Sequence, residues 1–305
     1  MRLSAGRLGM LACVAAALVV AGCGSSNSSS SGSSSSAAAS TPPSSAAVAS
    51  VVAQVPASIK AKGTLTVAAD ASYPPNEFFG PDGHTVIGMD ADLVQALGAV
   101  MGLKVNVVNQ TFASIIPGLS AGKYDVGASS FTDTKARQKT VDFVDYFSAG
   151  EAFFTKAQGG TTVSTVADLC GHTVSVETGT VEQTDASTQS GKCQKAGKGA
   201  VKVLAFQNQN DANLALSSGR AQIGFVDSPV AAYQAKKTGG EFKLVGQIFG
   251  TAPYGLAIPK NTGLAKPVLA ALKVLMSNGR YASILSKWGI QSGAITTPAI
   301  NGATS

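Results

Sequence analysis

The stretch "TLTVAAD" at Thr64–Asp70 decides the fold, together with the runs that succeed it: "DADLVQALGAVMG" at Asp90–Gly102, "KVNVVN" at Lys104–Asn109, "SIIPGLSAGK" at Ser114–Lys123 and "YDVGASS" at Tyr124–Ser130. Short β-rich runs alternate with helical patterns. This β-α-β-α-β rhythm predicts a parallel sheet with helices on its faces. A second series comes after Lys156: "TVSVE" from Thr173, "GTVEQTDASTQ" from Gly179, "VKVLAF" from Val201, "QNDANLALSSG" from Gln209, "AQIGFVD" from Ala221 and "SPVAAYQAKK" from Ser228. Two more helical patterns are predicted at Gly263–Ser277 and Tyr281–Trp288. The extended passages "EAFFTK" at Glu151–Lys156 and "PYGLAIPK" at Pro253–Lys260 link the two series. The prediction is an α/β protein of two lobes joined by two crossing strands, with a cleft between them.

In open α/β sheets a ligand sits beyond the carboxyl ends of the strands. Four such ends carry polar residues here: Asp70, Ser129 to Thr132, Thr178 to Val181, and Asp227. The stretch "SSFTDTKAR", Ser129–Arg137, admits two readings. Its hydroxyls and Asp133 could simply cap a short surface helix, since a side-chain oxygen there accepts from orphan backbone N–H groups. The convergence of strand ends favours the other reading, in which the hydroxyls and Arg137 face the cleft. A helix starting at a strand's carboxyl end serves both, leaving Asp133, Lys135 and Gln138 to solvent.

The N-terminus reads as a secretion signal over residues 1–22: Arg2 and Arg7 precede an apolar run, Leu8 to Val20, that is too short to span a bilayer. It ends in "VVAGC", which resembles a bacterial lipobox and would make Cys23 the lipidated first residue of the mature chain. Residues 23–58, rich in Ser, Ala and Pro, have too little apolar bulk to repay ordering and read as a flexible tether. Residues 296–305 read as a loose tail. Removing Arg2 and Arg7 lowers the formal net charge from +6 to +4, and with no basic run this gives nucleic-acid binding little support. Cys170 and Cys193 remain once Cys13 leaves with the signal and Cys23 takes the lipid. An even pair in an exported chain argues for a disulfide. His84 and His172 offer no metal-ligand spacing and read as solvent-facing loop residues.

From Lys62 to Ile290 the chain resembles the polar amino-acid binding proteins of ATP-binding-cassette importers, typified by histidine- and glutamine-binding proteins. The matching pieces are "GTLTVAADASYPP", "GMDADL", "FASIIPGLSAGKYDV", "SSFTDTKAR" followed by "VDFVDYF", "VETGTVE", "LSSGRAQIGFVD" and "ILSKWGI". The resemblance implies a periplasmic-binding-protein-like fold of type II order, with lobe 1 at 59–152 and 253–295 and lobe 2 at 153–252. It implies a monomer outside the cell membrane, anchored by lipid, that binds a free polar amino acid and delivers it to permease and ATPase subunits. No cofactor, metal or catalytic residue is expected.

A zwitterion needs a cation, an anion and a fitted pocket. Arg137 can grip a carboxylate with two prongs, as lysine cannot. The resemblance implies that role, with Thr132 and the backbone at Thr180 and Val181 assisting. It also implies Asp227 on the ammonium with groups near Ser130, Tyr73 and Phe112 around the ligand side chain, and Asp70 contacting that side chain. Asp227 could also cap the helix "SPVAAYQ", and Phe112 could instead be core. Glu177 stands where relatives vary with ligand, so two acids, Asp70 and Glu177, favour a cationic or amide side chain. The chain departs from the family at "YPPN", where Asn76 replaces an aromatic and leaves Phe78 or Phe79 to take over its packing. Two other functions compete. One is a cleft enzyme resembling cyclohexadienyl dehydratase, with Glu177 or Glu182 as the acid. The other is a sensory amino-acid-binding module without its own importer.

Overall fold

The computed structural model describes residues 41–303. The secretion signal at 1–22 and Cys23 lie outside the described residues, as does the tether as far as residue 40. The rest of that segment is not the flexible tether expected of its composition. Ser45–Gln54 (α1) is a helix, with Ser44 as its N-cap accepting from Ala47 N–H at 3.2 Å. The physical cause is a valine stripe: Val51 and Val55 are buried against the first core. Ala57–Lys62 (α2) then leads into Thr64–Ala69 (β1).

Three short strands come next, Ser72–Tyr73 (β2), Glu77–Phe79 (β3) and Val86–Ile87 (β4), paired into a small antiparallel sheet. Met89–Met101 (α3) buries Met89, Leu93, Val94, Leu97, Val100 and Met101, the spacing of one helical face, and carries Asp90 and Asp92 in its first turn. It starts at Gly88, whose φ of 128° and contact with the Asn76 backbone leave no room for a Cβ. Lys104–Asn109 (β5), Phe112–Ser120 (α4) and Val126–Gly127 (β6) complete the first unit.

The long strand Val141–Lys156 (β7) crosses to the second unit. There Thr173–Glu177 (β8), Val181–Lys195 (α5), Lys202–Phe206 (β9), Gln209–Ser217 (α6), Ile223–Asp227 (β10) and Ser228–Lys237 (α7) repeat the pattern. Phe242–Pro259 (β11) crosses back, and Ala265–Ser277 (α8) and Arg280–Trp288 (α9) pack on the first unit. The strands form one sheet in the order β5-β1-β6-β11-β7-β10-β8-β9. Parallel pairs lie at its ends, while β7 and β11 run antiparallel through its middle. The pairing of β7 with β11 slips between Val245 and Phe249, between Phe249 and Ala252, and again at Tyr254 and Gly255. Such irregularities bend a ladder, and here they occur where the chain passes between lobes.

Each lobe has its own core. One gathers Leu65, Val67, Leu97, Val144, Leu256 and Leu272. The other gathers Phe153, Val174, Val176, Ile223 and Phe225, and the Cys170–Cys193 disulfide ties α5 to the loop before β8 at its edge. The C-terminal tail is not loose over the described residues. Ile300 bridges Val144, Asn301 N–H donates to Phe143 O at 3.0 Å, and the Asn301 side chain bonds Phe143 N–H at 2.8 Å and Asp142 at 3.0 Å. His84 is exposed, whereas His172 is half-buried with Nδ1 unpartnered, so only the first faces solvent as expected.

Candidate functional site

The carboxyl ends of β1, β6, β8 and β10 meet at one small cavity between the lobes. It is lined by all ten residues singled out in the sequence: Asp70, Tyr73, Phe112, Ser130, Thr132, Arg137, Glu177, Thr180, Val181 and Asp227. Glu77, Ser129 and Glu182 line it too.

One end of the cavity is cationic. "SSFTDTKAR" does not form the expected helix; it runs as a loop into a single 3₁₀ turn, Arg137–Lys139. The guanidinium of Arg137 donates to Thr132 O at 2.8 Å and, across the cleft, to Gly179 O at 2.9 Å. It lies 5.3 Å from the Phe112 ring centre and 5.5 Å from that of Phe131, two rings stacked on each other at 4.4 Å. Burial lowers the Arg137 pKa, while Glu182 and Asp227 raise it. Gly179, at φ +87°, lets the second lobe come so close that an added Cβ would sit 3.1 Å from that of Ala113. Thr180 caps α5 by accepting from Gln183 N–H at 3.2 Å, and Val181 begins that helix beside the cavity. The N-terminus of a helix of this length favours an anion.

The other walls are acidic. Asp70 accepts from the Ser72 hydroxyl and from Phe112 N–H at 3.0 Å, so it serves the N-terminus of α4. Ser72 in turn accepts from Gln209 N–H of the second lobe at 2.9 Å. Glu177 faces Asp70 within hydrogen-bonding reach, and one of its oxygens has no partner. Burial first, then the Asp70 charge, pushes Glu177 well above the usual glutamate range. Asp227 forms no capping bond to α7. Its Oδ2 instead accepts from the Tyr73 hydroxyl at 2.8 Å, and its N–H donates to the same hydroxyl at 3.3 Å. Burial pushes Asp227 up to about 6, with Tyr73 and Arg137 among the groups opposing the rise. Glu182, missed as a binding residue, is 2% exposed with an unpartnered Oε1, and burial followed by Asp227 and Glu151 raises its pKa well above the ordinary value.

One wall of the cavity, formed by Glu77, Ser129 and Ser130, continues into a second polar layer. Ser130, at φ 49°, donates its N–H to Asp90 at 2.7 Å and its hydroxyl to Glu77 at 3.2 Å. Asn76 donates to the Ser130 hydroxyl at 2.9 Å, Ser129 donates to Glu77 at 3.0 Å, and Tyr146 donates to Asp90 at 2.6 Å. The Ser130 hydroxyl is therefore held by this layer. Asn76 belongs to it as well, while Phe78 packs edge-on to Trp288 at 5.6 Å and Phe79 is 40% exposed. Asp133, expected in solvent, is 1% exposed and accepts from Gln138 at 2.8 Å and from Ala303 N–H at 3.0 Å. Folding the chain's end back onto the loop is what buries it.

A family model described as bacterial extracellular solute-binding proteins, family 3, matches residues 65–291. The chain belongs to this family. Among its curated relatives, the Arginine-binding protein ArgT of Corynebacterium glutamicum is 36% identical over 255 residues, covering 83% of each chain. Of solved structures, an ancestral arginine-binding protein bound to arginine superposes with a TM-score of 0.67 at 35% identity, over 74% of this chain and 98% of that one. An ancestral amino-acid-binding protein described as a precursor of cyclohexadienyl dehydratase gives 0.68 at 34% identity, over 76% and 97%. Among the described residues this solute-binding protein has no helix long and apolar enough to cross a membrane, and no cluster arranged to hold a metal ion.

Proposed function

We propose that this solute-binding protein captures a cationic amino acid, arginine foremost, in the interlobe cavity and delivers it to the permease and ATPase subunits of an ABC importer. The observation that carries the reading is the charge layout of one cavity: a single guanidinium at one end, and five buried carboxyl groups, Asp70, Glu77, Glu177, Glu182 and Asp227, around the rest. In this reading Arg137, with Thr132 and the backbone at Thr180 and Val181, takes the ligand carboxylate. Asp227 takes the ammonium, Tyr73 and Phe112 flank the side chain, and Asp70 with Glu177 takes its cation. Ser130 acts through the second polar layer by fixing the loop. Ligand contacts to both lobes favour the closed form. The names of the relatives agree, since ArgT and the ancestral protein are both arginine binders.

The protein works as a monomeric binder without catalysis, held outside the cell membrane by lipid on Cys23. The test is a thermal-shift screen of the twenty amino acids. A ligand at a hundred times its dissociation constant stabilises by about 2.7 kcal/mol, and arginine should give the largest shift. Flat melting curves throughout would overturn the reading.

A further inference from the structure

Asp70 and Glu177 meet across the cleft, yet they are not equivalent. Asp70 stands at the end of β1 and both its oxygens receive donors, the Ser72 hydroxyl on one and Phe112 N–H on the other. Two donors keep a carboxylate an acceptor. Glu177, at the end of β8, is 2% exposed and has an oxygen with no partner. The charges bearing on it are those of Asp70, Glu182 and Asp227, all acids. The Arg137 guanidinium is held at the other end of the cavity, on Thr132 O and Gly179 O. Of the other charged groups on elements that pack against β8, Lys192, Lys195, Lys202 and Asp211 are exposed, and Asp185 is half-buried. No salt bridge among the described residues reaches either member of the pair.

Two carboxyl groups within hydrogen-bonding reach share a proton or gain a cation, because two bare charges in a buried site repel. The distribution of donors puts the proton on Glu177, which donates to Asp70. A guanidinium entering between them offers N–H groups to both oxygens and takes over the proton's role. A neutral side chain of the same shape has no charge to offer and leaves the proton in place. Resting on the amino-acid reading above, we propose that Glu177 sets the choice between a cationic and a neutral side chain by exchanging its proton for the ligand's cation. The proton leaves to solvent as the cation enters, so charge balances across the step.

The probes are arginine and citrulline, which differ by a guanidinium against an uncharged ureido group. Calorimetry on the full chain, in two buffers of different ionisation enthalpy, counts protons released per ligand bound. At pH 7.5, where Asp227 is already largely ionised, about one proton should leave with arginine and none with citrulline. Arginine affinity should rise with pH by up to about tenfold per unit wherever the free protein holds the proton, since proton release by linkage favours binding as pH rises. Citrulline affinity should follow only the ionisation of Asp227, near pH 6, so the ratio of the two affinities isolates Glu177. Glu177→Gln, which mimics the protonated acid, should release no proton with arginine and lose at least tenfold of the preference for arginine over citrulline. Tight arginine binding by the wild type with no proton released would overturn the exchange, as would full release by Glu177→Gln. If neither ligand binds and the thermal screen is flat, the amino-acid reading itself fails and takes this inference with it.

Discussion

Replacing Tyr73 by Phe isolates the cross-cleft bond to Asp227 from the packing of the ring. The hydroxyl donates to Asp227 Oδ2 at 2.8 Å and accepts from Asp227 N–H at 3.3 Å. The ring meanwhile packs with Leu216, Val226 and Val230 of the second lobe, contacts a Phe retains. Asp227, pushed up to about 6, is largely ionised at pH 7.5. The stronger bond is therefore charge-assisted, contributing about 1.5–3 kcal/mol, and the longer one adds about 0.5 kcal/mol. Both link the two lobes, so their loss bears on the closing equilibrium and raises the apparent dissociation constant in proportion. Tyr73→Phe should weaken arginine binding by roughly 30- to 400-fold, the equivalent of about 2–3.5 kcal/mol. Calorimetry at pH 7.5 gives the constant, and scattering at saturating ligand shows that the variant still closes. A constant within threefold of wild type would mean that this bond does not hold the lobes together.

Arg137→Ala should weaken ligand binding by roughly 2–5 kcal/mol, the cost of removing one partner of a buried charged pair. Arg137→Lys should recover only part of this, because one ammonium cannot span both prongs; equal affinity in the two proteins by calorimetry would argue against a forked contact. Burial pushes Glu151 up to about 8 and Asp145 up to about 7, against ordinary values near 4 in the unfolded chain. The native state thus holds more protons between these values, and stability present below about pH 4 is lost as the pH rises through 7 and 8. Ligand-free melting temperature should fall from pH 5 to pH 8, and Glu151→Gln should flatten the upper part of that slope by roughly 1–3 kcal/mol. A melting temperature that rises over this range would contradict the assignment.

The strand and helix alternation was legible because period-2 and period-3.6 patterns are imposed by burial on one face. Asp70 and Asp227 were legible because each closes an apolar run at a strand's carboxyl end. Glu182 was not, since an acid in a first helical turn satisfies the helix dipole and needs no other role. Only the approach of Asp227 in space distinguishes it. Glu77 sits in a turn-rich segment with no periodicity, and its partners Ser129 and Ser130 lie some fifty residues away in sequence. The helix α1 was hidden by composition, yet Val48, Val51, Val52 and Val55 follow helical spacing and were the available signal. The tail escaped because its few bonds are made by backbone groups and Asn301, which carry no hydrophobic pattern.

That tail has a practical consequence for anyone who would turn the protein into a sensor. Gly302 N–H donates to Asp145 at 2.9 Å, and Ala303 N–H donates to Asp133 in the loop that carries Arg137. A fluorophore or affinity tag fused after Ser305 is therefore separated by only two residues from a strut of the binding loop. Its signal would report the order of that loop, and its bulk would load it. A label on α7, across the cleft, would track the swing of one lobe against the other and leave the loop undisturbed.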